Sequence, residues 1–197
     1  MTKQALGKLM ILLVCLLLVN SGASQEKRVF EPEVLGVMHI SEGNQTLRPL
    51  ARETTRASWR GKVHAEKVIQ VPGPKSTCRI REGQPLQFVM RLPGGSDPTK
   101  YALYRLEPDK NRTSREVTLA KANYFSSNNR SPVIQGTSTE PGILQLDVSK
   151  YGESSYKFIP IDKLGPGEYL FASWGTPFDF TFGIDAGEGG PTKPERQ

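Results

Sequence analysis

The chain has 197 residues, and its 26 lysine and arginine residues outnumber 20 aspartate and glutamate residues, which gives a formal net charge of +6. This mild excess favours anionic partners weakly and indicates no particular one. The chain has two cysteines and two histidines, but Cys15 lies in the N-terminal apolar run, and the remaining cysteine and two histidines are too few for a tetrahedral zinc or iron–sulfur site.

The N-terminus has the three parts of a secretory signal peptide. Lys3 and Lys8 provide the positive start, residues 9–19 form an eleven-residue apolar run, and small residues at 21–24 follow. This order is that of an export leader, and the run is well short of the ~20 residues of a membrane-spanning helix. We therefore expect a cleaved leader over residues 1–24, with an uncleaved membrane anchor as the alternative.

Cleavage would leave a secreted or periplasmic protein with no transmembrane span. The remaining length of about 170 residues suits one domain with its own core, and loss of two lysines lowers the net charge from +6 to +4.

Cys15 leaves with the leader, so Cys78 has no partner in its own chain. A lone cysteine is usually a buried, small apolar residue; a reactive or interchain thiol is the alternative.

Glycine and proline, 19 and 15 residues respectively, are spread along the chain as turns between short segments. These segments alternate with period two or form short apolar runs, which predicts strands, and none keeps a helical period. Besides the segment discussed next, the predicted strands cover residues 33–40, 46–50, 77–80, 86–92, 100–106, 115–120, 143–148, 155–161, 168–174 and 178–184.

Residues 51–71 alternate over an unusual length. Odd positions are mostly small or apolar and even positions are polar, as in half-buried strands, and Gly61 marks a bulge or bend. Arginine at every fourth position suggests a competing helix. Pro49, the threonine pair that follows it and Gly61 disfavour that helix.

The predicted fold is all-β, an antiparallel immunoglobulin-like β-sandwich preceded by a signal peptide. Residues 121–141 are poor in apolar side chains and predict a long surface loop. We divide the chain into a leader, a linker, a sandwich domain and a disordered tail, at residues 1–24, 25–32, 33–185 and 186–197.

An ordered set of motifs carries a family resemblance. The motifs are VPGPKS at 71–76, EGQPLQFV at 82–89, KYGESSYK at 150–157, LGPGEY at 164–169 and FGID at 182–185. This order resembles a group of uncharacterised secreted bacterial proteins with a predicted β-sandwich. The resemblance covers residues 33–185 and implies the fold and export, but no activity, cofactor or site residue.

A basic stripe is the sequence feature with the clearest functional pattern. If residues 52–64 form strands, one face carries Arg52, Arg56, Arg60, Lys62 and His64. Arginine forks and lysine charges on such a face would bind phosphate, sulfate or a sugar acid. The alternative is a solvated face that protects a sheet edge from aggregation. Nucleic acid is not expected, because no recognition helix or aromatic platform accompanies the stripe.

No catalytic, metal or cofactor site is predicted. His39 and His64 have no third ligand at a metal-binding spacing, and the chain lacks a Gly-x-Ser-x-Gly elbow. Candidates for a hydrolase carboxylate pair are Asp147, Glu153, Glu168 and Asp179. Aromatic residues in strands are usually core, but candidates for a sugar-stacking surface are Trp59, Trp174, Tyr101, Tyr104 and Tyr151.

These observations predict a secreted or periplasmic protein that acts by binding rather than by catalysis. Its partner would be an anionic or carbohydrate ligand or another envelope protein. Two alternatives stay open, an exported carboxylate-dependent hydrolase and a structural protein of the cell envelope. Buried acids flanking a pocket would favour the hydrolase, whereas a flat apolar patch or an open sheet edge would favour a protein partner.

Overall fold

A computed structural model describes residues 29–43, 46–61, 64–123, 133–134, 142–173 and 179–187. Within these ranges the chain is nearly all-β, and the helical residues form one 3₁₀ turn, Pro98–Lys100. The strands are β1 (Met38–Ser41), β2 (Leu47–Pro49), β3 (Ala51–Glu53), β4 (Arg56–Arg60), β5 (His64–Pro72), β6 (Arg79–Arg81), β7 (Phe88–Arg91), β8 (Tyr101–Pro108), β9 (Ser114–Asn123), β10 (Val133–Ile134), β11 (Ile143–Leu144), β12 (Leu146–Lys150), β13 (Ser155–Pro160), β14 (Gly167–Ser173) and β15 (Asp179–Asp185).

Two sheets contain these strands. The first has the order β12-β13-β7-β1-β2 and is antiparallel throughout. The predicted pairing of residues 33–40 with 46–50 is confirmed in β1 and β2, where Ile40 lies opposite Arg48. The second sheet has the order β3-β15-β14-β8-β9-β5-β4, with β6 parallel to β15 at one edge.

An aromatic cluster joins the two sheets. Phe88 of β7 in the first sheet has its ring centroid 4.9 Å from those of Phe171 in β14 and Phe182 in β15. The ring centroid of Phe158 in β13 lies 6.3 Å from that of Phe171. All four side chains are fully buried. Burial of each stabilises the fold by about 1.5–3 kcal/mol, so the first core lies between the sheets.

A second apolar cluster covers the other face of the second sheet. Successive side chains of a strand point to opposite faces, and Leu103 of β8 packs in the first cluster while Tyr104 packs in the second. The strands β8 and β9 pair beside their turn at Glu107–Glu116. Farther from the turn, β8 pairs with β11 instead of β9. The strands β5 and β9 therefore fold over β8 and β14 and complete the second core.

The alternating segment over 51–71 forms three strands. Thr54 and Thr55 separate β3 from β4, and Gly61 follows β4 with a φ of 91°. This left-handed conformation favours glycine, so the predicted bend at Gly61 is confirmed.

The predicted loop over 121–141 is partly wrong. Residues 121–123 continue β9, and Val133 and Ile134 pair with Asn123 and Ala122 as β10. The sequence signal failed because backbone pairing needs no apolar side chains. The predicted leader, Lys62, Trp174 and the tail from residue 188 lie outside the described residues.

Candidate functional site

A cleft of about 350 Å³ lies where β8 and β15 end and β14 begins. Its charged lining consists of four cations and three acids: Lys75, Arg79, Arg105 and Arg115, with Glu107, Glu168 and Asp185. The cleft is the part of the described chain where charged residues of several strands converge.

One wall is a row of three residues on adjacent strands. Arg79 of β6 lies beside Gly183 of β15, which lies beside Glu168 of β14. The Arg79 guanidinium crosses β15 and donates to the Glu168 carboxylate. A Cβ at position 183 would lie 1.7 Å from Nη1 of Arg79. Glycine at this position therefore allows the ion pair to form across the strand.

Arg115 forms the buried floor beneath this row. Its side chain is 1% exposed, although it carries a full charge. Nη1 donates to Oε2 of Glu168 at 2.9 Å, and Nη2 donates to Oε2 of Glu53 at 2.8 Å. The carbonyls of Pro72 and Gly73 accept from the same guanidinium. Two carboxylates and two carbonyls thus compensate the desolvation of this arginine.

The buried network continues into β15. The hydroxyl of Thr181 donates to Oε1 of Glu53 at 2.7 Å and lies 2.9 Å from the hydroxyl of Ser76. The amide of Ser76 donates to Oε2 of Glu168. Every buried side-chain nitrogen and oxygen within the described ranges has a hydrogen-bond partner. The network therefore holds the cleft wall in one arrangement.

The Arg79 guanidinium also forms an ion pair with Asp185 at the rim of the cleft. Nη2 and Nε of Arg79 lie 2.5 and 3.2 Å from the oxygens of Asp185. These hydrogen bonds lower the pKa of Asp185 below its ordinary value and raise the pKa of Arg79. Asp185 is therefore ionised and paired at neutral pH.

We expect Arg79→Gln to raise the pKa of Asp185 toward the ordinary aspartate value of about 3.9. A carboxyl ¹³C NMR titration measures this change. The control is Asp179, whose pKa is raised by burial despite hydrogen bonds from Thr55 and Ser173 and should not move, because Arg79 does not bond to it. An unchanged Asp185 pKa in the variant would contradict the assigned ion pair.

The predicted stripe is divided between strands. Arg52 lies in β3, whereas Arg56 and Arg60 share a face of β4, the last strand in the order of the second sheet. Arg60 donates to both oxygens of Glu116. His64 begins β5. Binding by this stripe stays a prediction.

Glu168, a candidate hydrolase acid, lines the cleft, whereas His39, Cys78, Tyr101 and Tyr104 do not. His39 is buried in β1, where its Nδ1 lies 2.9 Å from the Val37 carbonyl, and burial lowers its pKa. Cys78 is also buried. Tyr101 and Tyr104 pack in different clusters, so these two cannot belong to one sugar-stacking surface. The described residues contain no group of three potential metal ligands.

No family model matches the chain, and no similar protein was found among curated proteins or solved structures. Function must therefore be argued from the cleft itself. Among the described residues, no helix is both long and apolar enough to cross a membrane.

The sequence pattern indicated Glu168 as a candidate acid but did not identify its partners Arg79 and Arg115 in the wall and floor of the cleft. Arg115 alternates with Val117 and Leu119 along β9 and therefore shares their face of the strand. This places its charge on an inward face. A charge at such a position requires a buried partner, and this was the available signal. The partner, Glu53, is 62 residues away in the sequence, and no local pattern identifies it.

Proposed function

We propose that this protein is an exported, immunoglobulin-like β-sandwich that binds an anionic ligand at the cleft and does not act as an enzyme. The two packed antiparallel sheets support the fold, and the N-terminal sequence supports export. The binding role rests on one observation: the cleft lining contains two exposed cations, Lys75 and Arg105. The buried cation Arg115 is already compensated by Glu53 and Glu168 and is not available to a ligand.

The two exposed cations differ in their partners. Each acid of the lining lies within salt-bridge distance of an arginine, since Arg105 pairs with Glu107 at 3.5 Å, and Glu168 and Asp185 pair with Arg79. Lys75 is exposed and has no salt bridge within the described ranges. Arg105 is half exposed and binds the Pro166 carbonyl through Nη2. An incoming phosphate, sulfate or carboxylate would contact these two side chains first.

The state of the acids favours binding over the hydrolase alternative. A carboxylate-dependent hydrolase needs one protonated acid beside one ionised acid. Asp185 accepts from Arg79, which lowers the pKa of Asp185 and favours its ionised form. The acid whose pKa is raised, Asp179, does not line the cleft.

Replacement of Lys75 and Arg105 by alanine tests the proposal. Hydrogen bonds to charged groups contribute about 1.5–3 kcal/mol, so we expect the double variant to bind inorganic phosphate or a heparin column at least about tenfold more weakly. Isothermal titration with phosphate, or the salt concentration of elution from heparin, measures the loss.

Replacement of Arg56 and Arg60 by alanine is the matched control. It removes the same charge from the predicted stripe and leaves the cleft intact, so its retention should stay close to that of the wild-type protein. If this control loses binding and the cleft variant keeps it, the stripe is the anion site and the cleft proposal is wrong. If neither variant loses binding, anion binding at both places is excluded.

A further inference from the structure

The turn over residues 151–155 holds a carboxylate that comes from a distant part of the chain. Oε1 of Glu31 accepts from the Glu153 amide at 2.5 Å, and Oε2 accepts from the Ser154 amide at 3.2 Å and from the Ser155 hydroxyl at 2.7 Å. These donors outweigh burial, which alone would raise the pKa, so the pKa of Glu31 is lowered. The turn therefore binds an ionised carboxylate.

Gly152 shapes the turn for this ligand. A Cβ at this position would lie 2.2 Å from Oε1 and 2.3 Å from Cδ of Glu31. The φ of Gly152 lies outside the left-handed range, so the backbone does not disfavour alanine there, and the three atoms nearest to the added Cβ all belong to Glu31. Arg91 adds support, since its Nε donates to the Ser154 hydroxyl at 2.8 Å.

The segment that carries Glu31 is held at few points. We call residues 29–35 the strap. Its docked residues are Glu31 and Pro32, and Pro32 is buried. Directly after the strap, the Gly36 amide donates to the Arg91 carbonyl of β7 at 2.8 Å. Four strap side chains are instead about half exposed: Val29, Phe30, Val34 and Leu35. Little apolar burial therefore opposes release of the strap.

We propose that the 151–155 turn is a peptide-binding site, filled by the strap in this structure, that accepts a Glu-Pro segment of another polypeptide. The turn binds the carboxylate, the surface beside the turn contacts the proline, and the Arg91 carbonyl accepts a hydrogen bond from a backbone amide. Binding of a side chain together with a backbone amide distinguishes a peptide from a small organic acid. A residue before proline is biased toward an extended backbone, which lowers the entropy lost when such a segment binds.

This site is separate from the cleft, and the two proposals can fail independently. The turn lies between β12 and β13 in the first sheet, whereas the cleft lies on the second sheet. The strap acts as an intramolecular competitor, and a tethered ligand of this kind reaches effective concentrations of the order of mM. A free peptide should therefore bind weakly to the wild-type protein.

The test uses a synthetic peptide with the sequence of residues 29–36 and a full-chain variant with an open site. The open variant combines Glu31→Ala with Pro32→Ser, which removes the two docked side chains of the strap and leaves the Gly36 amide as a competitor for the Arg91 carbonyl. We expect the peptide to shift the amide NMR signals of Glu153 and Ser154 in this variant, with an affinity at least about fivefold higher than for the wild-type protein. If the double variant loses its dispersed spectrum, Glu31→Gln alone should show a smaller gain.

Two controls make the result specific. Addition of Gly152→Ala to the open variant should abolish the shifts, because the Cβ occupies the carboxylate position. A peptide with glutamine in place of the glutamate should bind at least about tenfold more weakly, as expected for loss of a charged hydrogen-bond acceptor. Absence of shifts at mM peptide, equal binding of the glutamine peptide, or equal shifts with acetate would each overturn the proposal.

Discussion

Arg115→Met is expected to destabilise the protein by about 3–5 kcal/mol, because it leaves the largely buried carboxylates of Glu53 and Glu168 without this partner. Glu53 and Glu168 are 19% and 14% exposed and both accept from this guanidinium. Methionine fills much of the volume but donates no hydrogen bond. The free energy of unfolding in urea measures the loss, with far-UV circular dichroism as the signal.

The matched control is Arg60→Met. Arg60 also forms a two-point ion pair, with Glu116, but its side chain is 44% exposed. Exposed pairs contribute about 0–1 kcal/mol, so this variant should unfold close to the wild-type midpoint. Addition of Glu53→Gln to Arg115→Met should recover part of the loss, because it removes one of the unpaired charges. Equal losses for the two arginines would contradict the role of burial.

The strands could be predicted from sequence because their signal is local. In β8, alternation correctly assigned Tyr101 and Leu103 to one face. The strands β13, β14 and β15 followed from short apolar runs bounded by glycine and proline. The single strand predicted over 143–148 is wrong, because these residues divide between β11 and β12, which pair in different sheets. The order of the strands could not be predicted, since β1 lies beside β7 and β3 beside β15, and such long-range pairing leaves no local periodicity.

The candidate sites depended on residues that are distant in sequence. Glu31 and Ser155 are 124 residues apart, and so are Thr55 and Asp179. Sequence reasoning placed residues 25–32 in a linker, but two of them, Glu31 and Pro32, pack against the body of the protein. The role of the 151–155 turn in binding a carboxylate is visible only from the position of the strap.

Phe88 is one of the rings that pack the two sheets together. Its side chain is fully buried and contacts Phe171 edge-on and Phe182 at a tilt. It lies on β7, the central strand of the first sheet, and both of its partners lie on the second sheet. A change at this position therefore acts on the contact between the sheets.

Phe88→Ala should lower the free energy of unfolding by about 3–5 kcal/mol, because it removes apolar burial and leaves a cavity between the sheets. Phe88→Leu keeps most of the apolar volume and should lose less. Phe30→Ala is the control, since Phe30 is 50% exposed, and a surface change of this kind usually stays within about 0.5 kcal/mol. Urea unfolding of the three variants gives the comparison. A loss below about 1 kcal/mol for Phe88→Ala would mean that this position is not filled from both sheets, because a ring buried on every side always leaves a cavity when it is truncated.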